Sequence, residues 1–308
     1  MNAPKILITP RSLTRSGHPS LAKLEAAGYE LVFSTPGAFP SEDELIELLP
    51  GCVGYLAGVE QISGKVLDSA TDLKAISRNG TGVDSVDLGA ADRNGVQVLR
   101  AAGANARGVA ELTFGHIIAS VRSIPFSDAA MKDGRWERRK GVELADRTLG
   151  LVGCGMIGRY VAKFALAFDM NVVACDPYTD MSFNPSSRFK FTSIDTVLSA
   201  DIISLHCPAS PDGEPEIDAG AIEKMNDGVY IINTARASLL DDKAVLEGLE
   251  SGKIAGVVVD AFDPEPPTDW ALASHPKAIS TPHIGGFTSE SIDRAVSVAV
   301  DNLLKALD

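Results

Sequence analysis

Leu149–Asp176, LGLVGCGMIGRYVAKFALAFDMNVVACD, is the stretch whose reading decides the fold. It reads as strand, tight turn, helix, strand and a closing acid. Gly153, Gly155 and Gly158 make a G-x-G-x-x-G pattern. The first glycine permits the sharp turn, the second lets a pyrophosphate approach the backbone, and the third lets helix and strand pack closely. N–H groups at the helix N-terminus then face the phosphates. Ile157, Val161, Phe164, Ala165 and Phe168 recur at helical spacing, so one helix face packs on a sheet. Val172–Ala174 form the next strand and Asp176 ends it. Three such glycines alone are equally a glycine-rich turn. The strand before them, the helix after them and the spacing of the acid point to a bound dinucleotide. A carboxylate at Asp176 accepts from ribose hydroxyls and repels a 2′-phosphate, so the expected cofactor is NAD rather than NADP.

The chain has 308 residues, a length that suggests two domains. Its net charge of -13 argues against nucleic acid or an anionic membrane surface as the main partner. An anionic substrate therefore needs a local basic pocket. Cys52, Cys154, Cys175 and Cys207 are scattered, with no metal-binding spacing, and read as small core residues of a reducing cytoplasm. No metal site is expected. The N-terminus lacks the apolar segment of a secretory signal, and no apolar run approaches a membrane span.

Working outward, residues 1–102 alternate short strands and helices, which implies a parallel sheet covered on both faces. Expected strands include Ile6–Thr9, Tyr29–Phe33, Leu73–Ser77 and Val96–Leu99. Ser41 and Glu44 suggest a capping box. The loop Arg78-Asn79-Gly80-Thr81-Gly82-Val83-Asp84 follows a strand. It is either a plain turn or a cradle whose backbone N–H groups hold a small anion. Ala101–Asn105 reads as a crossover and Val109–Val121 as a long helix carrying Glu111 and His116. Met131–Lys140 is basic, either a solvated surface or part of an anion site or subunit contact. Thr288–Leu307 is an amphipathic last helix.

Past the glycine turn, strand ends deliver Asp176, Cys207, Arg236, Asp260 and His283. In a doubly wound sheet these border one crevice. Hydride chemistry needs a proton donor or acceptor at the substrate oxygen and a cation for a carboxylate. An imidazole such as His283 serves the first need near neutral pH, and a guanidinium such as Arg236 the second. Glu265, in D-P-E-P-P, can orient the imidazole. Singly, each is also readable as a surface ion pair, a loop histidine or an exposed acid.

N-T-A-R-A (233–237), D-A-F-D-P-E-P-P (260–267) and T-P-H-I-G-G (281–286) follow the glycine motif in the order found in the D-isomer-specific 2-hydroxyacid dehydrogenases, which this chain resembles over nearly its whole length. G-T-G-V-D-S-V-D-L and M-K-D-G-R-W-E-R add to the likeness, which is strongest toward members acting on 3-phosphoglycerate. The resemblance implies an α/β fold with two doubly wound parallel-sheet domains. A Rossmann NAD-binding domain, 103–287, is inserted into a flavodoxin-like substrate-binding domain, 1–102 with 288–308. It implies Arg236, Glu265 and His283 as catalytic residues. Thr81, Gly153, Gly155, Met156, Ile157, Gly158, Asp176, Cys207, Thr234, Ala235, Arg236, Asp260, His283 and Gly286 are the implied NAD contacts. Arg78, Asn79, Gly80 and Arg236 are the implied contacts to a small 2-hydroxy or 2-oxo acid. A homodimer joined through the NAD-binding domains is also implied. Many phosphoglycerate-type members carry an arginine in the segment that here reads Tyr55-Leu56-Ala57-Gly58-Val59-Glu60, and a serine is common at the place of Gly108. The substrate is therefore open between 3-phosphoglycerate and the glycerate/hydroxypyruvate pair, and Arg11 is a possible substitute for the absent arginine. The alternative is an NAD-binding corepressor-like protein on the same fold. A formate dehydrogenase is disfavoured, because it pairs its histidine with glutamine where this chain has Glu265.

Overall fold

The computed structural model describes residues 3–210 and 212–308. The chain divides into two compact units, residues 1–105 with 289–308, and residues 106–288.

The first unit runs β1 (Lys5–Ile8), α1 (Arg11–Ser16), α2 (Ala22–Ala26), β2 (Glu30–Phe33), α3 (Glu42–Leu48), β3 (Cys52–Ala57), α4 (Gly64–Ser69), β4 (Ala75–Arg78), α5 (Leu88–Arg93) and β5 (Gln97–Arg100). Its strands are parallel, in the order β2-β1-β3-β4-β5. That is the flavodoxin-like order. Alternation along each strand sends residues to opposite faces. Ile6, Ile8, Leu56 and Ala75 pack beneath Val296, Ala299, Val300 and Leu303 of the last helix. Leu7, Tyr55 and Ile76 pack on the other face against Leu45, Leu49, Val66, Leu67 and Ala90. The capping box is half formed. Ser41 Oγ accepts from the Glu44 N–H, while the Glu44 carboxylate accepts from the Thr35 N–H and hydroxyl.

The second unit comprises α6 (Ala106–Val121), α7 (Ile124–Lys132), β6 (Thr148–Val152), α8 (Met156–Ala167), β7 (Asn171–Cys175), β8 (Phe189–Phe191), α9 (Ile194–Leu198), β9 (Ile202–Leu205), α10 (Ala219–Lys224), β10 (Val229–Asn233), α11 (Asp242–Ser251), β11 (Ile254–Val259) and β12 (Ala278–Ser280). Helix α12 (Ser289–Leu307) then returns to the first unit. The seven strands are parallel, ordered β12-β11-β10-β9-β6-β7-β8. Renumbered within the unit, the first six strands stand 3-2-1-4-5-6, the Rossmann order. The order reverses between β6 and β9, and the glycine turn leaves β6 at that point. Leu149, Leu151, Val172 and Val258 pack under α6 and α8, while Val152, Ile203, Ile231 and Val257 pack under α9 to α11. Helix α7 was not expected from the sequence. Its moderate apolar pattern leaves Ile124 and Met131 exposed, and Ala130 is its one fully buried residue.

No helix among the described residues is long and apolar enough to cross a membrane. No described group of His, Cys, Asp and Glu is arranged to hold a metal ion.

Candidate active site

The glycine turn is built by close approach. Gly153 has φ +91, and a Cβ there would lie 2.6 Å from the His206 carbonyl oxygen. A Cβ on Gly158 would lie 2.5 Å from the Gly153 carbonyl oxygen. Gly155 differs, because a Cβ there meets nothing within 4 Å. Open space thus lies over the second glycine, which is the N-cap of α8 and has no side chain to cap the first-turn N–H groups. The Asp176 carboxylate is pinned beside the turn, accepting from the Cys154 N–H at 2.7 Å and the Tyr178 N–H at 2.8 Å. Uncapped helix donors, an open glycine and a fixed carboxylate fit a dinucleotide whose phosphates meet the helix end. Beneath the turn, His206 is partly buried, its Nε2 2.9 Å from Ser204 Oγ, and desolvation pushes its pKa down to about 4. Burial also pushes the Cys154 and Cys207 thiols up to about 11, so neither is a ready nucleophile at neutral pH.

Arg236 follows β10 on a loop stapled by Asn233. That amide accepts from the Ala235 N–H at 3.0 Å and donates to the Arg236 carbonyl at 2.7 Å. Thr234 Oγ1 lies 2.7 Å from Thr113 Oγ1 of α6. The Arg236 guanidinium donates through Nη1 to the Ala235 carbonyl.

His283 follows β12 with φ +52, a left-handed conformation uncommon for a non-glycine residue. Asp260, 1% exposed at the end of β11, holds this loop. Its Oδ1 accepts from the Thr281 hydroxyl at 2.5 Å and the Ile284 N–H at 2.9 Å, and its Oδ2 from the Gly285 N–H at 2.8 Å. The Thr281 proton is given to Asp260, so its oxygen accepts from Nε2–H of His116, 3.3 Å away. Burial lowers the His116 pKa, which keeps that imidazole neutral. Asp260, an expected cofactor contact, thus also positions His283 through the hydrogen bonds its carboxylate accepts from this loop. His283 Nδ1 donates to Glu265 Oε1 at 2.7 Å, and the Phe262 N–H donates to the same oxygen at 3.1 Å. The half-exposed His283 ring therefore keeps Nε2 for a substrate. Asp176, Cys207, Arg236, Asp260 and His283 all leave the carboxyl ends of the second unit's strands or the loops just beyond. His116 and His206 stand in no motif that marks them, and the bond of Thr281 to Asp260 joins residues 21 apart, so these positioning roles are not legible in the sequence.

In the first unit, Arg78 ends β4 with its side chain buried. Its Nε donates to the Gly82 carbonyl at 3.2 Å, and its Nη1 and Asn79 Oδ1 are buried without a hydrogen-bond partner. Gly80 and Thr81 follow in the partly exposed loop. Arg11 is held by the Gly37 carbonyl at 3.0 Å and lies 4.5 Å from the centroid of the Phe39 ring.

The family model for the NAD-binding domain of D-isomer-specific 2-hydroxyacid dehydrogenases matches residues 114–285. The chain belongs to this family of NAD-dependent enzymes. A hydroxypyruvate reductase of Thermotoga maritima is 37% identical over 273 residues, covering 86% of this chain and 88% of that protein. Human D-3-phosphoglycerate dehydrogenase is 37% identical over 258 residues, covering 82% of this chain and 48% of that protein, so the chain spans about half of its length. Among solved structures, a D-lactate dehydrogenase of Aquifex aeolicus, complexed with NAD and lactic acid, aligns with a TM-score of 0.83 at 28% identity. The alignment covers 98% of this chain and 95% of that one. NAD is the cofactor of the second unit, in agreement with the pinned Asp176 beside the glycine turn.

Proposed function

We propose that the chain interconverts a small D-2-hydroxy acid and the corresponding 2-oxo acid, with 3-phosphoglycerate and the glycerate/hydroxypyruvate pair as the substrates to test. The observation that carries this reading is the His283–Glu265 pair, 2.7 Å apart, on the same sheet edge as Arg236 and the glycine turn. When bound, NAD would supply the hydride acceptor for oxidation of the hydroxy acid, and NADH the hydride donor for reduction of the oxo acid. We assign its binding in the second unit to Gly153, Gly155, Met156, Ile157, Gly158, Asp176, Cys207, Thr234, Ala235, Arg236, Asp260, His283 and Gly286. Thr81 is assigned to it in the first unit.

Arg236 binds the substrate carboxylate, for which a guanidinium offers paired donors. In reduction, the protonated His283 gives the Nε2 proton to the carbonyl oxygen. In oxidation, the neutral ring takes the hydroxyl proton at Nε2. Glu265 accepts Nδ1–H throughout, which fixes the ring orientation and leaves Nε2 to react. The first unit is assigned as substrate-binding, through Arg78, Asn79 and Gly80. The exposed Met131 and Trp136, in and after α7, support a homodimer joined through the second unit. Four free cysteines suit a cytoplasmic protein.

The test is a panel of 2-oxo acids assayed with NADH and NADPH. NADH-dependent reduction of at least one is expected, falling by about 10²-fold or more in His283→Ala. NADH binding without turnover of any oxo acid overturns the reading.

A further inference from the structure

Four polar side chains are buried together at the carboxyl edge of the first unit's sheet, namely Thr9 after β1, Tyr55 on β3, Glu60 just past β3 and Arg78 ending β4. Strands β3 and β4 are neighbours there, with Ala57 in register with Arg78. Ligands of open α/β sheets bind outside this edge. Glu60 is 7% exposed. Its Oε1 receives the Tyr55 hydroxyl at 2.7 Å, the Gly58 N–H at 2.9 Å and the Thr9 hydroxyl. Its Oε2 lies over Gly58, where a Cβ would come within 2.6 Å. The loop therefore turns its carboxylate back onto the strand ends and holds it there with three donors.

We infer that Glu60 is a specificity-determining residue that sets this edge against a second anionic group, so that the preferred substrate is an unphosphorylated 2-oxo acid charged only at its carboxylate. The inference rests on the hydride-transfer reading above. The charge balance of the edge supports it. Arg78 is the cation of this cluster, and the charges of Glu60 and Asp84 both act on it. Among the described buried side chains of this edge, the Glu60 carboxylate already balances the one cation, Arg78, and leaves no net positive charge for a second anion. Ala57, Gly58, Val59 and Gln61 add no cation, and Arg11 is occupied by Gly37 and Phe39. Arg78 is itself held in place, with Nε bound to Gly82 and the guanidinium buried. A phosphate would bring about two further negative charges to this edge. Repulsion between partly buried charges exceeds that in water severalfold. An alcohol or methyl group in the same place meets no such penalty.

The experiment compares kcat/KM for hydroxypyruvate and 3-phosphohydroxypyruvate with NADH in wild type, Glu60→Gln and Glu60→Ser. Gln keeps the shape and an acceptor for the three donors, and Ser is the smaller second variant. Wild type is expected to prefer hydroxypyruvate. Both variants are expected to retain hydroxypyruvate turnover and to raise the phosphorylated-to-unphosphorylated ratio by about tenfold or more. A wild-type preference for the phosphorylated compound, or an unchanged ratio in the variants, overturns the inference and leaves the hydride-transfer reading standing. If both variants fail to fold, competition by D-glycerate and 3-phospho-D-glycerate against wild type decides. Tighter binding of D-glycerate supports the inference, and equal or tighter binding of the phosphorylated acid overturns it. Reduction of no oxo acid at all by NADH-bound wild type overturns the reading beneath it as well.

Discussion

One oxygen, Glu265 Oε1, serves two donors, the His283 ring and the Phe262 backbone. The backbone bond fixes where the carboxylate sits, and the carboxylate fixes how the ring turns. Glu265→Gln keeps an acceptor for both N–H groups and removes the charge, whereas Glu265→Ala removes both. We expect kcat to fall in that order, by about tenfold and about 10²-fold or more, with KM for the oxo acid little changed. Arg236→Ala is expected to act the other way, mainly on KM. Loss of charged hydrogen bonds to a carboxylate corresponds to roughly 1.5–3 kcal/mol, or about ten- to a hundredfold. Steady-state kinetics on the three variants checks both statements. Undiminished kcat in Glu265→Ala would mean that the ring needs no partner.

At the scale of elements, the unit formed by β6, the glycine turn and α8 makes two demands that single methyl groups separate. Gly158→Ala places a Cβ 2.5 Å from backbone and must push helix from strand. A destabilisation of about 1–3 kcal/mol is expected, read as a lowered Tm. Gly155→Ala meets nothing within 4 Å, so the fold should keep its Tm while NAD affinity drops by about tenfold or more. Equal Tm losses in the two variants would refute this division of labour. This unit was legible in the sequence because each of its parts has a local signature. The same holds for the helices beginning after Ser41, Asp87 and Asp241, whose side chains cap them. Helix α7, strand β8 and helices α9 and α10 were not anticipated. They are short, and tertiary packing rather than pattern defines them. At the site, Arg236, Glu265 and His283 were identifiable because their motifs stand just past strand ends. The loop anchor at Asp260 and Thr281, the buried His116 and the Glu60 cluster arise from hydrogen bonds between residues far apart in sequence, which no spacing reveals.

At the scale of the molecule, each of the two parallel sheets is buried on both faces, and two histidines of the second unit, the buried His116 and the partly buried His206, are desolvated. Their desolvation links stability to pH. Desolvation lowers the pKa of His206 to about 4, against the ordinary value of 6.5 in the unfolded chain. Between these values the unfolded chain binds a proton that the folded chain does not. Stability therefore rises with pH across this window: the contribution is fully present above pH 6.5 and is lost as pH falls toward 4. The whole difference corresponds to roughly 3 kcal/mol. His116, lowered by burial as well, adds in the same direction. Chemical denaturation of wild type and His206→Gln between pH 7.5 and pH 4.5 tests this linkage. Gln offers Ser204 a polar partner and does not titrate. Its stability should fall less steeply over the window than that of wild type, whatever the two stabilities at pH 7.5. Carboxylates that titrate in the same interval affect both proteins alike, so the difference between the two slopes isolates the histidine. Parallel slopes would show that His206 takes up its proton in the folded protein as readily as in the unfolded chain, and desolvation beneath the glycine turn would then carry no pH dependence.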